Sequence, residues 1–287
     1  MRFLKFHTNG REGLAVLDGQ NAYGFFSDES SYPCCLTEII ADGHNALIQA
    51  ADYLRKGQAI DMSMVSFLPP LGQTGKIICL GLNYHNHAKE SGLNPPPHPT
   101  IFARFPSSLV GHRASLIRPH VSKQFDYEGE LVAVIGKSGR HIPVDKALEH
   151  IVGYSIFNDA SVRDYQLETS QWTVGKNFDS TGAMGPFMVT ADELPPGGAG
   201  LHLQTRLNGQ ALQNASTSDM IYNVADTVAF LSEAMTLAPG DLLVMGTPSG
   251  VGMARKPELY MKAGDICEVE IEGLGVLSNT VADETFK

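Results

Sequence analysis

Two glutamates separated by a single glycine, Glu128 and Glu130, form the most informative motif of this sequence. Successive side chains of a strand point to opposite faces, so residues two apart share a face. Like charges that close repel unless a cation lies between them, and Mg²⁺ and Ca²⁺ prefer carboxylate oxygens. An isolated Glu-x-Glu motif is more often a solvated strand edge. Here the apolar run 131–135 follows at once, which places the pair at the mouth of a core and indicates a metal site.

A third carboxylate, Asp159, follows the apolar segment 153–157, which is typical of a short buried strand. An aspartate at the end of a strand commonly caps a turn, and that is the ordinary interpretation of such a residue. Together with Glu128 and Glu130, it would complete a site of three carboxylates with positions left for water or substrate. Proteins usually hold Mg²⁺ in this way.

A histidine and a glutamate three residues apart, His87 and Glu90, follow the predicted strand 76–80. On a helical turn they would share one face and come within hydrogen-bonding reach. A carboxylate beside an imidazole orients the ring and raises its basicity, which suits a general base acting on water. The alternative is the ordinary polar surface of a helix start. The proline-rich stretch 91–99 that follows favours a lid over the site.

Four further side chains lie in segments that could reach the same place. Arg163 and Gln166 follow the third carboxylate by a few residues. Lys176 lies among glycine and aromatic residues, where its ammonium could stabilise an enolate or a carboxylate, although a solvated lysine is the default interpretation. Thr247 lies in the glycine-rich turn 246–252, whose backbone N–H groups could hold a carboxylate. This turn lacks the GxxxxGK[ST] pattern of a phosphate loop.

Composition limits the class of protein. The chain has 287 residues, 43% of them hydrophobic, and a formal net charge of −10. That charge disfavours a nucleic acid or an anionic membrane surface as a partner. The four cysteines lack metal-ligand spacing, the N-terminus lacks the apolar stretch of a signal peptide, and no segment reaches transmembrane length. We therefore expect a cytoplasmic protein with reduced cysteines.

Two units are predicted, 1–72 and 73–287. The first is a small α+β domain with a helical pattern over 36–54 that Gly43 interrupts. In the second, short β-type runs separated by Gly, Pro and Asn outnumber helices, which predicts a mostly-β (α+β) fold. Its clearest predicted elements are strands at 76–80, 131–135, 187–190, 201–207, 241–245 and 266–271, a helix starting near Pro143, and a helix from Asn223 to about Leu237.

Five segments, in this order, resemble the fumarylacetoacetate hydrolase family. They are Asn83-Tyr84-x-x-His87-x-x-Glu90, Asp126-Tyr127-Glu128-x-Glu130-Leu131, Asn158-Asp159-x-Ser161-x-Arg163-Asp164-x-Gln166, Gly175-Lys176-x-x-Asp179 and Gly246-Thr247-Pro248-x-Gly250-Val251-Gly252. Each motif alone is weak, but five in the family's order, over roughly residues 75–285, are strong.

The resemblance implies a mixed β-roll catalytic domain, a homodimer, and a divalent metal, Mg²⁺ or Mn²⁺, with Ca²⁺ as a further possibility. It also implies a small-molecule substrate, a 2-oxo or β-diketo acid. The matching positions give Glu128, Glu130 and Asp159 as metal ligands, His87 and Glu90 as a water-activating dyad on a lid, Lys176 as a catalytic cation, and Tyr84, Arg163, Gln166 and Thr247 as substrate contacts.

Three functions are compatible with these residues. The first is hydrolysis of a C–C bond in an acylpyruvate-like acid, in which His87-activated water attacks the distal carbonyl and an enolate leaves. The second is oxaloacetate decarboxylation or tautomerisation, or a related isomerase or hydratase reaction, on the same site. The third is a structural Ca²⁺ site without catalysis, which has no need of His87, Glu90 or Lys176. The complete dyad favours hydrolysis.

Overall fold

The computed structural model describes residues 1–72, 74–90 and 97–285. Most of the predicted lid at 91–99 therefore lies outside the described residues. The chain opens with antiparallel strands joined by tight turns. Asn9 and Gly10 both have positive φ, 49° and 78°, as a two-residue hairpin turn requires. The elements up to residue 68 are β1 (Arg2–Thr8), β2 (Arg11–Asp18), β3 (Asn21–Phe26), α1 (Leu36–Ala41), α2 (His44–Leu54), β4 (Gln58–Ile60) and β5 (Ser66–Leu68).

Short strands and short helices make up the remainder, as the frequent glycines and prolines predict. The next elements are β6 (Ile77–Gly81), α3 (His85–Glu90), β7 (Thr100–Ala103), β8 (Leu109–Val110), β9 (Leu116–Arg118), β10 (Phe125–Asp126), β11 (Gly129–Ile135), β12 (Ile151–Asn158), β13 (Ser161–Val162), α4 (Arg163–Leu167) and α5 (Thr173–Lys176). The last are β14 (Gly182–Thr190), β15 (His202–Leu207), β16 (Gln210–Ser216), α6 (Val224–Ala234), β17 (Leu242–Val244), β18 (Ile266–Ile271) and β19 (Gly275–Asp283). The 3-10 helices are Pro106–Ser108, Val144–His150, Ala191–Glu193, Pro196–Gly198, Thr217–Asp219 and Gly252–Ala254.

One mixed sheet runs through the protein in the order β4-β3-β2-β1-β14-β12-β11-β17-β6-β7. Most neighbours are antiparallel, but β17 and β6 pair in parallel. The sheet passes from the N-terminal strands to the rest through β1 and β14, where Arg2 lies opposite Val189. The predicted boundary between 1–72 and 73–287 stays a prediction, because a continuous sheet joins the two parts.

A second sheet, in the order β16-β15-β18-β19-β9, contributes to the largest hydrophobic core cluster of the described residues. Strand β11 shows how the core is divided between the faces of the main sheet. Leu131, Ala133 and Ile135 share a cluster with residues of β15, β18 and β19, whereas Val132 and Val134 share another with α1 and α2. This period of two is the strand alternation, and it accounts for a run that is apolar at every position. The mostly-β (α+β) class is confirmed.

Two predicted helices differ from the observed ones. The segment after Pro143 is a 3-10 helix, Val144–His150, that ends where β12 begins. The helix predicted from Asn223 to Leu237 is α6, which ends at Ala234. Asn223 is its N-cap and accepts a hydrogen bond from the Asp226 N–H at 3.0 Å. The end comes early because Leu237 exchanges backbone hydrogen bonds with Gly139 instead of continuing the helix.

The α1–α2 region follows its sequence pattern closely. Gly43, which has a φ of 92°, separates the two helices as predicted.

In the part of the chain that the structure describes, every helix is too short or too polar to cross a membrane.

His112 connects the segment before β9 to β19. Its Nδ1 accepts a hydrogen bond from the Ser278 N–H at 3.0 Å, and its ring packs edge-on against Phe67 with centroids 4.8 Å apart. Burial, followed by the charge of Arg113, lowers the pKa of His112 from 6.5 to about 4. Between these two values the unfolded chain binds a proton that the folded chain does not. Acid therefore destabilises the fold, and the cost is absent above pH 6.5.

We expect this histidine to reduce the free energy of unfolding by on the order of 2 kcal/mol as the pH falls from neutral to about 4. Urea unfolding of wild type and His112→Gln over this range measures the effect. The variant should lose less stability on acidification because it has no proton to take up. The exposed His202, changed to Gln, is the control and should follow wild type. Parallel curves for all three proteins would contradict the expectation.

Candidate active site

Strand pairing brings three predicted metal ligands together. Glu128 immediately precedes β11, Glu130 lies within it, and Asp159 immediately follows β12. The β11–β12 ladder places Gly129 opposite Asn158, and the Asp159 N–H donates to the Glu128 carbonyl oxygen at 2.8 Å. As a result, one carboxylate oxygen of each acidic residue lies within 4.8 Å of the other two. All three side chains are buried, and we call this cluster the acidic triad.

Gly129 allows the triad to lie against the second sheet. A Cβ at this position would lie 2.2 Å from Thr205 Oγ1 and 2.9 Å from Val269 Cγ1. Thr205 belongs to β15 and Val269 to β18, so any side chain at residue 129 would push the two sheets apart. The glycine of the Glu-Gly-Glu motif is therefore required by packing on one face, while the glutamates use the other.

Three buried cations surround the acidic triad. Lys176 Nζ lies 2.5 Å from Glu128 Oε2 and 2.6 Å from Asp159 Oδ2, and so bridges two of its members. Arg163 Nη1 lies 2.7 Å from Glu128 Oε1. On the far side, Arg104 Nη1 lies 2.6 Å from Asp159 Oδ1. Charge-assisted contacts of this kind offset the large cost of burying the ions.

Asp126 binds Arg163 and the end of the glycine-rich turn. It accepts hydrogen bonds from Arg163 Nε at 2.9 Å, from the Gly252 N–H at 2.7 Å and from the Met253 N–H at 3.0 Å. Its carboxylate oxygens are thus used by these donors rather than directed at the triad. Arg163 also donates from Nη1 to Gln166 Oε1 at 2.8 Å. Among the described residues, no group accepts a hydrogen bond from its buried Nη2.

The protonation tendencies of the two glutamates diverge. Burial opposes ionisation of Glu128, but Arg163 and Lys176 outweigh it and lower the pKa of this carboxyl to about 2. Burial raises the pKa of Glu130 well above its ordinary value, and the charges of Asp159 and Glu128 raise it further. Burial also disfavours the Lys176 ammonium, yet Asp159 and Glu128 raise its pKa. The ammonium therefore keeps its positive charge, and Glu130 is the carboxyl that most needs another cation.

The backbone of the turn 246–252 is bound to the Glu-Gly-Glu segment. The Gly246 N–H donates to Glu130 Oε2 at 2.6 Å, and Thr247 Oγ1 donates to the Gly129 carbonyl oxygen at 3.0 Å. Gln213 Nε2 donates to Thr247 Oγ1 at 2.8 Å, while its Oε1 accepts from the Gly129 N–H at 3.0 Å. Thr247 lines the cavity beside the triad, and these bonds determine its position.

The predicted dyad lies on α3, on the same side of the cavity as the turn. His87 Nδ1 and Glu90 Oε1 are 3.5 Å apart, and within the described ranges His87 Nδ1 has no hydrogen-bond partner. Glu90 instead accepts from the Gly250 N–H, at 2.9 Å to Oε2. Catalytic hydrogen bonds are often long before substrate binds, so this geometry is compatible with a base and its orienting carboxylate.

A cavity of 390 Å³ opens over the acidic triad. One side is charged and polar, and the other is apolar and aromatic. The polar lining residues are His87, Glu90, Glu128, Glu130, Arg163, Gln166, Lys176 and Thr247, and the apolar ones include Leu80, Leu82, Phe102, Leu167, Trp172 and Met253. A cavity of this volume, lined by both apolar and polar side chains, is typical of small-molecule binding sites.

The structure gathers most of the predicted site residues around this cavity. Asp159 lies behind Lys176 and is fully buried. Tyr84 is different, because its side chain is buried outside the cavity lining. Burial, followed by the charge of Glu130, raises the pKa of its hydroxyl. The assigned roles of these residues stay predictions.

Sequence reasoning missed Arg104, which directly follows β7. Besides Asp159, its guanidinium binds Ser108 Oγ at 3.1 Å and Thr181 Oγ1 at 3.0 Å. Gly182 makes room for it, because a Cβ there would lie 2.7 Å from Arg104 Cζ. The available signal was a cation directly after the apolar run 101–103, and a cation at the end of a strand usually has a solvated head.

Comparisons with known proteins identify relatives of this site. The family described as "Fumarylacetoacetate (FAA) hydrolase C-terminal" matches residues 76–282. A mitochondrial oxaloacetate tautomerase of Xenopus laevis is 38% identical, over 98% of this chain and 90% of that protein. Among solved structures, fumarylacetoacetate hydrolase from Exiguobacterium antarcticum has a TM-score of 0.86 and 36% identity, covering 99% of this chain and 100% of that one. Maleylpyruvate hydrolase from Sphingobium, in complex with manganese(II) and pyruvate, has a TM-score of 0.82 and 25% identity, with coverage of 99% and 100%.

Replacing Arg104 with Met should destabilise the protein by about 3–5 kcal/mol, because it leaves Asp159 buried with one cation fewer. Urea unfolding measures the loss. Arg118→Met is the matched control, since Arg118 pairs with Asp283 in a solvent-accessible ion pair whose side chains are 25% and 52% exposed, and it should cost less than about 1 kcal/mol. Similar losses for both variants would show that Arg104 is not needed to balance the charge of the triad.

Proposed function

The chain belongs to the fumarylacetoacetate hydrolase family, and we propose that it is a metal-dependent enzyme that interconverts the keto and enol forms of oxaloacetate or a closely similar 2-oxo acid. The acidic triad, packed against three buried cations at the base of a cavity, is the observation that carries this proposal. The oxaloacetate tautomerase of Xenopus laevis, which matches almost the whole chain, supports the substrate.

The residues of the triad fit a divalent cation. Glu128, Glu130 and Asp159 would hold it through hard oxygen donors, which suits Mg²⁺ or Mn²⁺ and, less specifically, Ca²⁺. The raised pKa of Glu130 supports this assignment, because a neighbouring cation favours the ionised form of that carboxyl. When bound, the metal supplies Lewis-acid polarisation of the 2-oxo group. Manganese in the structure of the Sphingobium maleylpyruvate hydrolase also supports it.

The cationic side of the cavity would bind and orient the substrate anion. Arg163 has a buried guanidinium whose Nη2 is a donor without a partner in the described part of the chain. A substrate carboxylate would satisfy it, because an unpaired buried donor is costly. Gln166 Oε1 already accepts from Arg163, so the amide can offer its N–H groups to the same anion. The Lys176 ammonium stabilises negative charge that develops on the enolate oxygen.

The dyad of His87 and Glu90 would transfer the proton. The imidazole of His87 lines the cavity and would remove a proton from the carbon beside the 2-oxo group, then return it to the oxygen. Glu90 Oε1 lies 3.5 Å from His87 Nδ1, so a small rotation of the Glu90 side chain would complete their hydrogen bond and raise the basicity of the ring. The apolar side of the cavity limits the access of water to the enolate.

Hydrolysis of an acylpyruvate, the function that the sequence favoured, is the second candidate. The observation in its favour is the dyad together with the apolar lining, which could receive an acyl group that oxaloacetate does not have. The same base would then act on water instead of on carbon. Both candidates share the triad and differ in what His87 deprotonates.

Removing the metal should abolish both reactions. We expect dialysis against EDTA to lower turnover of oxaloacetate enol by about two orders of magnitude or more, and Mg²⁺ or Mn²⁺ to restore it. Glu130→Gln should bind these ions weakly and stay inactive when they are added. The loss of enol absorbance measures turnover, and thermal unfolding with and without metal reports binding. Metal-dependent stability without turnover of any 2-oxo acid would indicate a structural Ca²⁺ site instead.

Replacing His87 with Asn separates the reactions that need a base from decarboxylation, which does not need one. Tautomerisation and acylpyruvate hydrolysis should each fall about 10²–10⁴-fold because both need the base. Decarboxylation of oxaloacetate needs only stabilisation of the enolate and should remain near its wild-type rate. His85→Asn is the control, because His85 is an exposed residue of the same helix. If His87→Asn kept full tautomerase activity, the proton-transfer role of His87 would be refuted.

We also propose a homodimer in a reducing compartment such as the cytoplasm. The four cysteines are all free, which supports a reducing environment.

Three exposed apolar side chains support the homodimer. Phe105, Leu167 and Val174 are at least half exposed and lie in or beside β7, α4 and α5. Apolar side chains exposed in this way favour a protein partner, and a second copy of the chain is the simplest one.

A further inference from the structure

The apolar side of the cavity contains one side chain that packs directly against the backbone of the main sheet. Trp172, the only tryptophan of the chain, packs its ring on Gly81 at the end of β6. A Cβ on Gly81 would lie 2.2 Å from the indole Cζ3, so the ring touches the backbone itself. The ring also meets Phe102 of β7 edge-on, with centroids 5.5 Å apart. The indole is thus fixed between two adjacent strands of the main sheet.

The backbone that carries this indole is equally constrained. Trp172 is the residue before α5, and its carbonyl oxygen accepts from the Lys176 N–H at 3.1 Å. Helix α5 lies directly against α4, because a Cβ on Gly175 would fall 2.3 Å from the Gln166 backbone nitrogen. The side chain of Lys176 is in turn held by Glu128 and Asp159. Moving the backbone of Trp172 would therefore disturb Lys176 and the carboxylates that it contacts.

Other apolar side chains that line the cavity can be displaced by a bound substrate. Leu167 is 56% exposed at the rim, and Met253 has a flexible, unbranched side chain. A substrate group that presses on either residue can displace it at small cost. One that presses on Trp172 cannot, because Gly81 and Phe102 lie directly behind the ring.

We infer that Trp172, held by its contact with Gly81, sets the upper size limit for the group that a 2-oxo acid substrate carries beyond its chelating end. The inference rests on the proposed function, because it assumes that the oxo-acid end lies at the triad. Trp172 is then a specificity-determining residue, and Gly81 is the positioning residue that determines where the indole lies.

Three substrates of increasing length test the size limit, namely acetylpyruvate, butyrylpyruvate and hexanoylpyruvate. The readout is the ratio of kcat/KM for the longest to that for the shortest, which a general loss of stability does not change. Trp172→Ala should raise this ratio roughly tenfold or more. Val144→Ala is the control, because its side chain is 51% exposed and does not line the cavity, and it should keep the wild-type ratio.

The contact with Gly81 is tested by a double-mutant cycle. Gly81→Ala should push the indole into the cavity and lower the ratio, and adding Trp172→Ala should raise it to the value of Trp172→Ala alone. An unchanged ratio in Trp172→Ala, or equal effects of Gly81→Ala with and without the tryptophan, would overturn the inference.

A failure of the proposed function can be distinguished from a failure of the inference about Trp172. If wild type turned over no acylpyruvate, the fluorescence of the single tryptophan would still report ligand binding, and only the loss of oxaloacetate turnover as well would show that the proposed function is wrong. Wild-type affinity should then decrease with acyl length, and Gly81→Ala should steepen that decrease. Affinity that is independent of length in both proteins would overturn the inference about Trp172 by itself.

Discussion

The burial of several charges in one place is the constraint on which the rest of this structure depends. Four carboxyl groups, those of Asp126, Glu128, Glu130 and Asp159, lie beneath the cavity with the cations of Arg104, Arg163 and Lys176. Each ion is costly to remove from water, so each must be paired and held in place. The count leaves one carboxyl group in excess of the cations. A divalent cation and an anionic substrate are therefore the ligands that such a cluster suits.

The glycine-rich turn 246–252 links the parts of this cluster. Its backbone N–H groups donate to Glu130 from Gly246, to Glu90 from Gly250 and to Asp126 from Gly252. One short segment thus contacts the triad, the dyad and the carboxylate that orients Arg163. Positive φ values of 86° at Gly246 and 104° at Gly250 make this path possible, and other residues would adopt them only with strain. The positions of the His87–Glu90 dyad and of the acidic triad are linked through this turn.

Local patterns predicted the parts that depend on local geometry. Strand alternation put Glu128 and Glu130 on one side, and the break at Gly43 divided α1 from α2 as expected. Long-range pairing was beyond such patterns. Arg104 finds Asp159 across 55 residues of sequence, and nothing near either residue indicates the other. Strands β16 and β19 were missed because both are rich in polar residues, and their pairing with β15 and β18 makes them strands. The position of the Trp172 indole could not be predicted either, because it depends on a contact with Gly81, which lies far earlier in the sequence.

We propose that the acidic triad holds the catalytic metal. The most direct measurement is anomalous diffraction from crystals soaked in Mn²⁺ and an unreactive 2-oxo acid. We expect one strong peak among the carboxylates of Glu128, Glu130 and Asp159, with Arg163 bound to the ligand's carboxylate. No peak at the triad at saturating Mn²⁺, with Lys176 Nζ still bridging Glu128 and Asp159 and the oxo acid bound elsewhere, would contradict it.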